Sequence, residues 1–327
     1  MSDVIQIVVT SGSGDGGSRS TARRLQKALV RRGYEAHMQT FGDLERLQEW
    51  SAACEPAFSH LVGVGGDATL SAAVTAAMRL SIPFVPVPNG FGNMFARAFG
   101  FADQTRRVIE LFERGQIRRV DAGIVNGREI FLSHRSYGLL EEIQQAVERE
   151  GAQPRSRVLR HLAYYVMAER LLVTAPLPSI RVEVEGVLLA EDAVLVTVAN
   201  VETYRGFLSL TPMASPIDGL FDVFVIPGAP KLRVWTRLFK ILCGLPGRWD
   251  GVGLCRGRHV RVTVDGGPPD ELAVRRRAFP LLVLPESVER LRARQAEAEV
   301  ACASEAGAAP AVQLVNESRG AGQGPRR

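Results

Sequence analysis

Three glycine-bearing turns carry most of the chemistry in this sequence, and each follows an apolar run and precedes a helix-like stretch. The first, SGSGDGGS at 11–18, sets Gly12, Gly14 and Gly17 in G-x-G-x-x-G spacing. That spacing lets backbone N–H groups and a helix N-terminus hold a pyrophosphate, and it equally describes a plain flexible βα turn. The second, LVGVGGDATLSAAV at 61–74, ends an apolar strand in Gly65-Gly66-Asp67 and opens a helix near Thr69. Paired glycines admit a phosphate close to the backbone, and Asp67 stands where a hydrated divalent cation could be held. The plainer alternative makes Asp67 a helix cap and the glycines a turn. The third, VPVPNGFGNMFARAFG at 85–100, stiffens a strand exit with Pro86 and Pro88, opens the turn with Gly90 and Gly92, and offers Asn93 as the next helix cap. Two such loops on neighbouring parallel strands face one crevice, which points to a nucleotide site.

The elements that must position these loops fit an ordinary globular chain. Its 327 residues, 46% hydrophobic and 23% charged, allow two domains with proper cores and exclude disorder for most of the length. No stretch reaches the roughly 18 continuous apolar residues of a membrane span, and residues 1–6 lack the features of a signal peptide. The expected location is therefore the cytoplasm. Cys54, Cys243, Cys255 and Cys302 show no C-x-x-C spacing, and His37, His60, His134, His161 and His259 show no metal-ligand spacing. The net charge of +5 is modest, but arginines cluster at Arg155, Arg157 and Arg160 and again at 275–277, which favours anionic partners or a solvated basic face. Without stacking aromatics among those arginines, nucleic acid ranks last as a partner.

Up to about residue 100 the chain alternates strand-like segments (4–9, 35–39, 60–64, 84–87) with helix-like ones (19–31, 43–54, 69–80), and two further helices follow at 93–99 and 105–114. Repeated βα alternation predicts a parallel sheet covered by helices, with ligands beyond the C-terminal ends of the strands. After about residue 121 the segments become β-rich (122–125, 129–133, 179–184, 193–199, 221–226, 260–264), interrupted by helices at 157–173 and 231–242. The expected organisation is an α/β domain over 1–122, a β-rich domain over 123–284, a return of the chain to the first domain at about 285–295, and a disordered tail over 296–327. The 231–242 helix sets Trp235, Leu238, Phe239 and Leu242 on one face and Arg233, Arg237 and Lys240 on the other. Such a helix either covers its own sheet or rests on an anionic membrane surface.

The paired loops resemble the catalytic domain shared by diacylglycerol kinases, sphingosine kinases and bacterial soluble lipid kinases. That family carries a GGDGT-type loop, here Gly65-Gly66-Asp67-Ala68-Thr69, followed by a P-x-G-T-G-N-type loop, here Pro88-Asn89-Gly90-Phe91-Gly92-Asn93. Its first strand commonly ends in an N-P-x-S-G-type loop, and Thr10 to Gly14 lie in that place with Ser13-Gly14 retained. The resemblance runs over roughly residues 4–290 and implies an α/β nucleotide domain with a parallel sheet, like that of NAD kinase and diacylglycerol kinase, followed by a β-sandwich. It implies ATP held by Ser13, Gly14, Gly65, Gly66, Asp67, Thr69, Asn89, Gly90, Gly92 and Asn93. A magnesium ion falls to Asp67 and to an Asp-Gly-x-x-Asp motif, here Asp218 and Asp222, and VTVDGGP puts Asp265 in the place of the general base. The implied reaction passes the γ-phosphate of ATP to a hydroxyl of diacylglycerol, a sphingoid base, ceramide or another lipid alcohol. The implied setting allows peripheral contact with an anionic membrane and a homodimer.

Several positions depart from the family pattern. Ala68 replaces a glycine and Phe91 a threonine, while Met94, Leu140, Met213 and Gly267 stand where the family often has acids. A hard cation wants oxygen ligands, so these losses bear on turnover. A nucleotide- or lipid-binding protein that has kept the fold is the main rival reading. An NAD kinase lacks support because Leu70-Ser71-Ala72 replaces its Asn-Glu pair, and a nicotinamide oxidoreductase rests only on the opening glycines.

Overall fold

The computed structural model describes residues 4–11, 17–55, 57–90, 92–101, 105–149, 176–202, 204–205, 208–243 and 251–305, together with 166, 170 and 174. The first unit is built from β1 (Val4–Thr10), α1 (Gly17–Arg31), β2 (Glu35–Phe41), α2 (Leu44–Ala53), β3 (His60–Gly65), α3 (Asp67–Leu80), β4 (Phe84–Pro88), α4 (Met94–Ala98) and α5 (Thr105–Arg114). These follow the expected alternation closely. Strands β2, β1, β3 and β4 lie in that order and are all parallel. β1, β3 and β4 are apolar runs because helices bury both faces of the sheet: Ile5, Ile7, Leu61, Val62, Val64 and Val85 share one core with Leu25 and Leu29 of α1 and with Leu70, Ala73 and Val74 of α3.

The second unit adds β5 (Gln116–Val125), β6 (Glu129–Phe131), β7 (His134–Gly138), α6 (Leu139–Arg149), β8 (Ile180–Val184), β9 (Val187–Ala199), the short pair β10 (Tyr204–Arg205) and β11 (Leu208–Ser209), β12 (Phe221–Pro227), α7 (Lys231–Cys243), β13 (Gly253–Gly257), β14 (His259–Val264), β15 (Asp270–Val283) and α8 (Pro285–Glu305). Its sheet is antiparallel in the order β13-β12-β9-β8-β14-β15, with β5 on β15, β6 on β5 and β7 on β9. The sheet folds over so that Phe131 of β6 stacks on Phe221 of β12 with centroids 5.5 Å apart, and a dry core fills between the layers. Strand β12 shows the period of two in its packing. Phe221, Val223 and Val225 enter that core, while Phe224 and Ile226 point to the other face, under Val234 and Ile241 of α7 and Leu139 and Ile143 of α6. Helix α7 therefore covers its own sheet with one face.

β15 joins the two units into one 13-stranded sheet. Its first residues pair with β14, and Leu281 lies parallel beside Phe84 of β4. The chain thus rejoins the parallel sheet before residue 284, and the expected boundary at 122–123 falls inside β5. The tail expectation also needs correction, because α8 runs on to Glu305. Residues 296–305, AEAEVACASE, lack apolar periodicity but are rich in strong helix formers, and propensity favours the helix there. Residues 306–327 and nearly all of the helix expected over 157–173 lie outside the described residues. Among the described residues no helix is long and apolar enough to cross a membrane.

Candidate active site

β3 and β4 end side by side, with Gly65 in register with Pro88, so the loops that follow them leave the sheet together. The Asn89 N–H donates to the Gly65 carbonyl at 2.9 Å. The loops touch closely enough to exclude side chains: a Cβ on Gly90 would stand 2.5 Å from the Gly66 Cα, and one on Gly65 would stand 2.6 Å from the Thr69 Cβ. Thr69 is buried and its hydroxyl lies 3.1 Å from that of Thr10, at the end of β1. The start of α1 reaches the same place, since the Asn89 amide donates to the Thr21 hydroxyl at 3.4 Å. Five of the expected nucleotide residues, Gly65, Gly66, Thr69, Asn89 and Gly90, are thus brought together. Ser13 and Gly14 lie outside the described residues, in the segment between Ser11 and Gly17.

Asp67 and Asn93 do not act as simple caps of the helices they precede. Asp67 is the first residue of α3, yet its carboxylate accepts the N–H groups of Met94 at 3.2 Å and Phe95 at 3.4 Å, at the start of α4. Burial pushes its carboxyl up, against the lowering effect of those donors. Asn93 was expected to cap α4. With φ at 48° it instead turns its side chain back onto the loop, accepting the Gly90 N–H at 3.0 Å and donating to the Gly90 carbonyl at 2.5 Å. Gly92 leaves room for Asp67, since a Cβ there would lie 3.0 Å from Oδ2. The N-cap of α3 is Gly66, with no side-chain cap bond, so the first backbone donors of this 14-residue helix face the glycine loops. Close glycine backbones and helix-terminal donors suit a polyphosphate.

Asp218 and Asp222 share one buried cation. Arg256 binds Asp222 through Nε at 2.9 Å and Asp218 through Nη2, and both its own side chain and that of Asp222 are buried. Gln295 of α8 also donates to Asp218, at 3.1 Å. Burial raises the Asp218 carboxyl, against the pull of Arg256, to about 6. The buried Asp121 braces the same turn: its carboxylate accepts the Gly219 N–H at 2.8 Å and the Arg277 N–H at 2.6 Å, at the bulge of β15. Among the described residues there is no group of three or more acids, histidines or cysteines placed to hold a metal ion. Arg256 thus bridges two of the acids expected to hold a cation, and the sequence alone assigns a role to neither Asp121 nor Arg256.

Asp265 sits in the tight turn between β14 and β15, with φ at 50°. Its carboxylate accepts the Ser179 N–H at 2.8 Å, and its own N–H donates to the Ser179 carbonyl at 2.8 Å. These bonds pin the turn to the residue that precedes β8, the strand paired with β14. The acidic neighbour of Asp265 is Glu142 of α6, whose carboxyl is raised by burial first and then by the charges of Asp265 and Glu141. Asp270 is occupied by the Tyr137 hydroxyl at 3.0 Å and the Asn126 amide at 2.7 Å.

Residues 5–125 match the Diacylglycerol kinase catalytic domain family, and residues 143–275 match the YegS C-terminal NAD kinase beta sandwich-like domain family. A diacylglycerol kinase of Bacillus subtilis is 29% identical over 216 residues, covering 64% of this chain and 68% of that protein. A diacylglycerol kinase of Mycobacterium tuberculosis is 25% identical over 272 residues, covering 81% and 76%. The crystal structure of a diacylglycerol kinase from Bacillus anthracis superposes with a TM-score of 0.62 at 18% identity, covering 87% of this chain and 98% of that one, and so shares the fold. Both halves match in sequence and in order, and the chain belongs to the bacterial diacylglycerol kinase-like family.

Proposed function

We propose that this chain is an ATP-dependent lipid kinase that phosphorylates a hydroxyl of diacylglycerol, a sphingoid base, ceramide or a related lipid alcohol. The observation that carries the reading is the closure of Gly65–Thr69 on Asn89–Asn93 at the ends of two parallel strands. ATP would supply the phosphoryl group, and a magnesium ion would supply charge neutralisation. Gly65, Gly66 and Gly90 admit the phosphates to the backbone, and the first turn of α3 donates to them. Asp67 is the acid nearest these loops and the natural place for the cation. Asp265 takes the proton of the lipid hydroxyl as that oxygen attacks the γ-phosphorus and the bond to the β-γ bridging oxygen breaks. For Asp265 to do so, the hairpin turn that carries it and the glycine loops have to flank one bound acceptor. The work is done at a membrane surface, where the acceptor resides.

The Arg256 ion pair favours a second reading, a nucleotide- or lipid-binding protein without turnover, because it already engages both Asp218 and Asp222. Incubation with γ-labelled ATP, magnesium and a mixed lipid extract separates the two. Label in the organic phase that disappears in Asp265→Asn supports the kinase. ATP binding with no labelled lipid supports the binding protein.

A further inference from the structure

A cavity of about 280 Å³ opens beside α7, lined by Arg233, Thr236, Arg237, Lys240 and Gly251. Positions 233, 236, 237 and 240 recur at i, i+3, i+4 and i+7 and so share one face of the helix. That face is opposite in character to Val234 and Ile241, which are buried on the sheet. Among the described residues no acid lines the cavity, and none of Arg233, Arg237 and Lys240 forms an ion pair. Thr236 spends its hydroxyl proton on the Arg233 carbonyl at 2.9 Å.

The cavity is shaped as well as charged. Arg237 donates from Nη1 to the Pro227 carbonyl at 3.0 Å, which anchors its guanidinium at the cavity wall and spends one of its five N–H donors. Gly251 closes the far wall with φ at +68°, and a Cβ there would stand 2.5 Å from the Arg237 Nη2. The backbone angle favours glycine, and a side chain there would displace the Arg237 guanidinium. Three like charges held together repel one another, and an anion seated among them relieves that repulsion.

We propose that this cavity binds the phosphate of an anionic lipid headgroup. A phosphate matches two guanidinium groups and an ammonium, and a soluble phosphate would do so equally. The lipid is favoured by the neighbouring residue Leu232, which is 75% exposed on the first turn of α7. Half-buried Trp235 and Phe239, stacked with centroids 5.3 Å apart, continue the apolar stripe from Leu232. Cations beside an exposed apolar edge fit the level of a bilayer at which phosphates meet acyl chains. The proposal extends the lipid-kinase reading by naming the surface that docks, and it needs no turnover.

The test is co-sedimentation with phosphatidylcholine vesicles, with and without phosphatidylglycerol. Binding is expected only with phosphatidylglycerol, weakened roughly tenfold or more in Arg233→Ala/Lys240→Ala and unaltered in the charge-matched control Arg128→Ala/Arg292→Ala. Equal binding by the double variant and wild type, or equal loss in the control, overturns the site. Titration with inorganic phosphate and with glycerol 1-phosphate separates the two sources of the anion. Tight binding of either, with no preference for the vesicles, overturns the lipid assignment, and Leu232→Ser should weaken vesicle binding alone. Circular dichroism and a thermal melt verify folding, and Arg233→Gln, a change at an exposed position, repeats the vesicle test if the double variant unfolds. All of these readings are independent of labelled lipid, so failure of phosphotransfer and failure of this site are distinguishable.

Discussion

The carboxylate of Asp67 accepts the backbone N–H of Met94 at 3.2 Å, which ties the first residue of one helix to the first residue of the next. The same side chain is therefore a structural clamp between the glycine loops and the acid best placed for a cation. Asp67→Asn keeps an amide oxygen for one of the two α4 donors and should lower the melting temperature less than Asp67→Ala does. It should lower magnesium-dependent phosphotransfer by roughly 10²-fold or more. Asp67→Ala loses the acceptor as well and should cost about 1 kcal/mol of stability. Urea melts alongside initial rates separate the two roles.

The contact between Gly66 and Gly90 gives a graded prediction. A Cβ on Gly90 would lie 2.5 Å from the Gly66 Cα, whereas one on Gly66 would lie 3.5 Å from the Gly90 Cα. Gly90→Ala must push the loops apart and should destabilise by about 1–3 kcal/mol and weaken ATP binding. Gly66→Ala fits at ordinary contact distance with its extended backbone and should be nearly neutral to stability. Calorimetric titration with ATP would reverse this reading if the two variants bound alike.

Arg256→Met should destabilise by about 3–5 kcal/mol, because it leaves two acids in buried surroundings without their cation. The triple variant Asp218→Asn/Asp222→Asn/Arg256→Met removes all three charges and should recover most of that loss. Chelation of divalent metal should leave the wild-type melting temperature unchanged if Arg256 alone serves this pair. A large drop on adding chelator would return a metal to the site.

The raised carboxyl of Asp218 sets a pH dependence of known sign. Its value of about 6 in the fold exceeds the ordinary 3.8, so the folded state holds the proton more tightly than the unfolded one. The stabilisation is fully present below about pH 3.8 and is lost as pH rises through 6, to the extent of roughly 3 kcal/mol. Asp218→Asn should flatten stability over that window. Urea unfolding at closely spaced pH values would detect the difference, and parallel curves for the two proteins would refute it.

Much of the α/β unit is legible in the sequence because strands buried on both faces leave uninterrupted apolar runs, and glycine loops punctuate them. The 60–64 strand and the 69–80 helix are each found within two residues of their observed ends. β15 is hidden because the three arginines at 275–277 interrupt its apolar pattern, and the bulge between Arg275 and Phe279 breaks the alternation. Those arginines suggest an anionic partner, yet the backbone N–H of Arg277 serves Asp121. Asp218 and Asp222 are found by motif, but their partner is not, since Arg256 lies 38 residues beyond Asp218 with no local signal. Arg256 of β13 lies in register with Asp222 of β12, and cross-strand pairs of this kind depend on register, which composition does not reveal.

Asp265 and Glu142 repel one another, and that repulsion offers a direct reading of the hairpin turn. Glu142 is raised chiefly by burial, with Asp265 and Glu141 adding to it. Asp265→Asn removes one of the two charges but not the burial, so the Glu142 carboxyl should move down only part of the way toward its ordinary 4.5. The asparagine oxygen still accepts the Ser179 N–H, so the turn should hold its shape. Carbon-detected NMR titration of the carboxyl groups would follow Glu142 directly, and an unmoved value would show that the two groups do not face each other in solution. Rates complete the comparison. If Asp265 is the base, Asp265→Asn abolishes transfer while ATP still binds, and Glu142→Gln retains it. If Glu142→Gln is the variant that loses transfer, the proton is taken from α6 and Asp265 serves to keep Glu142 basic.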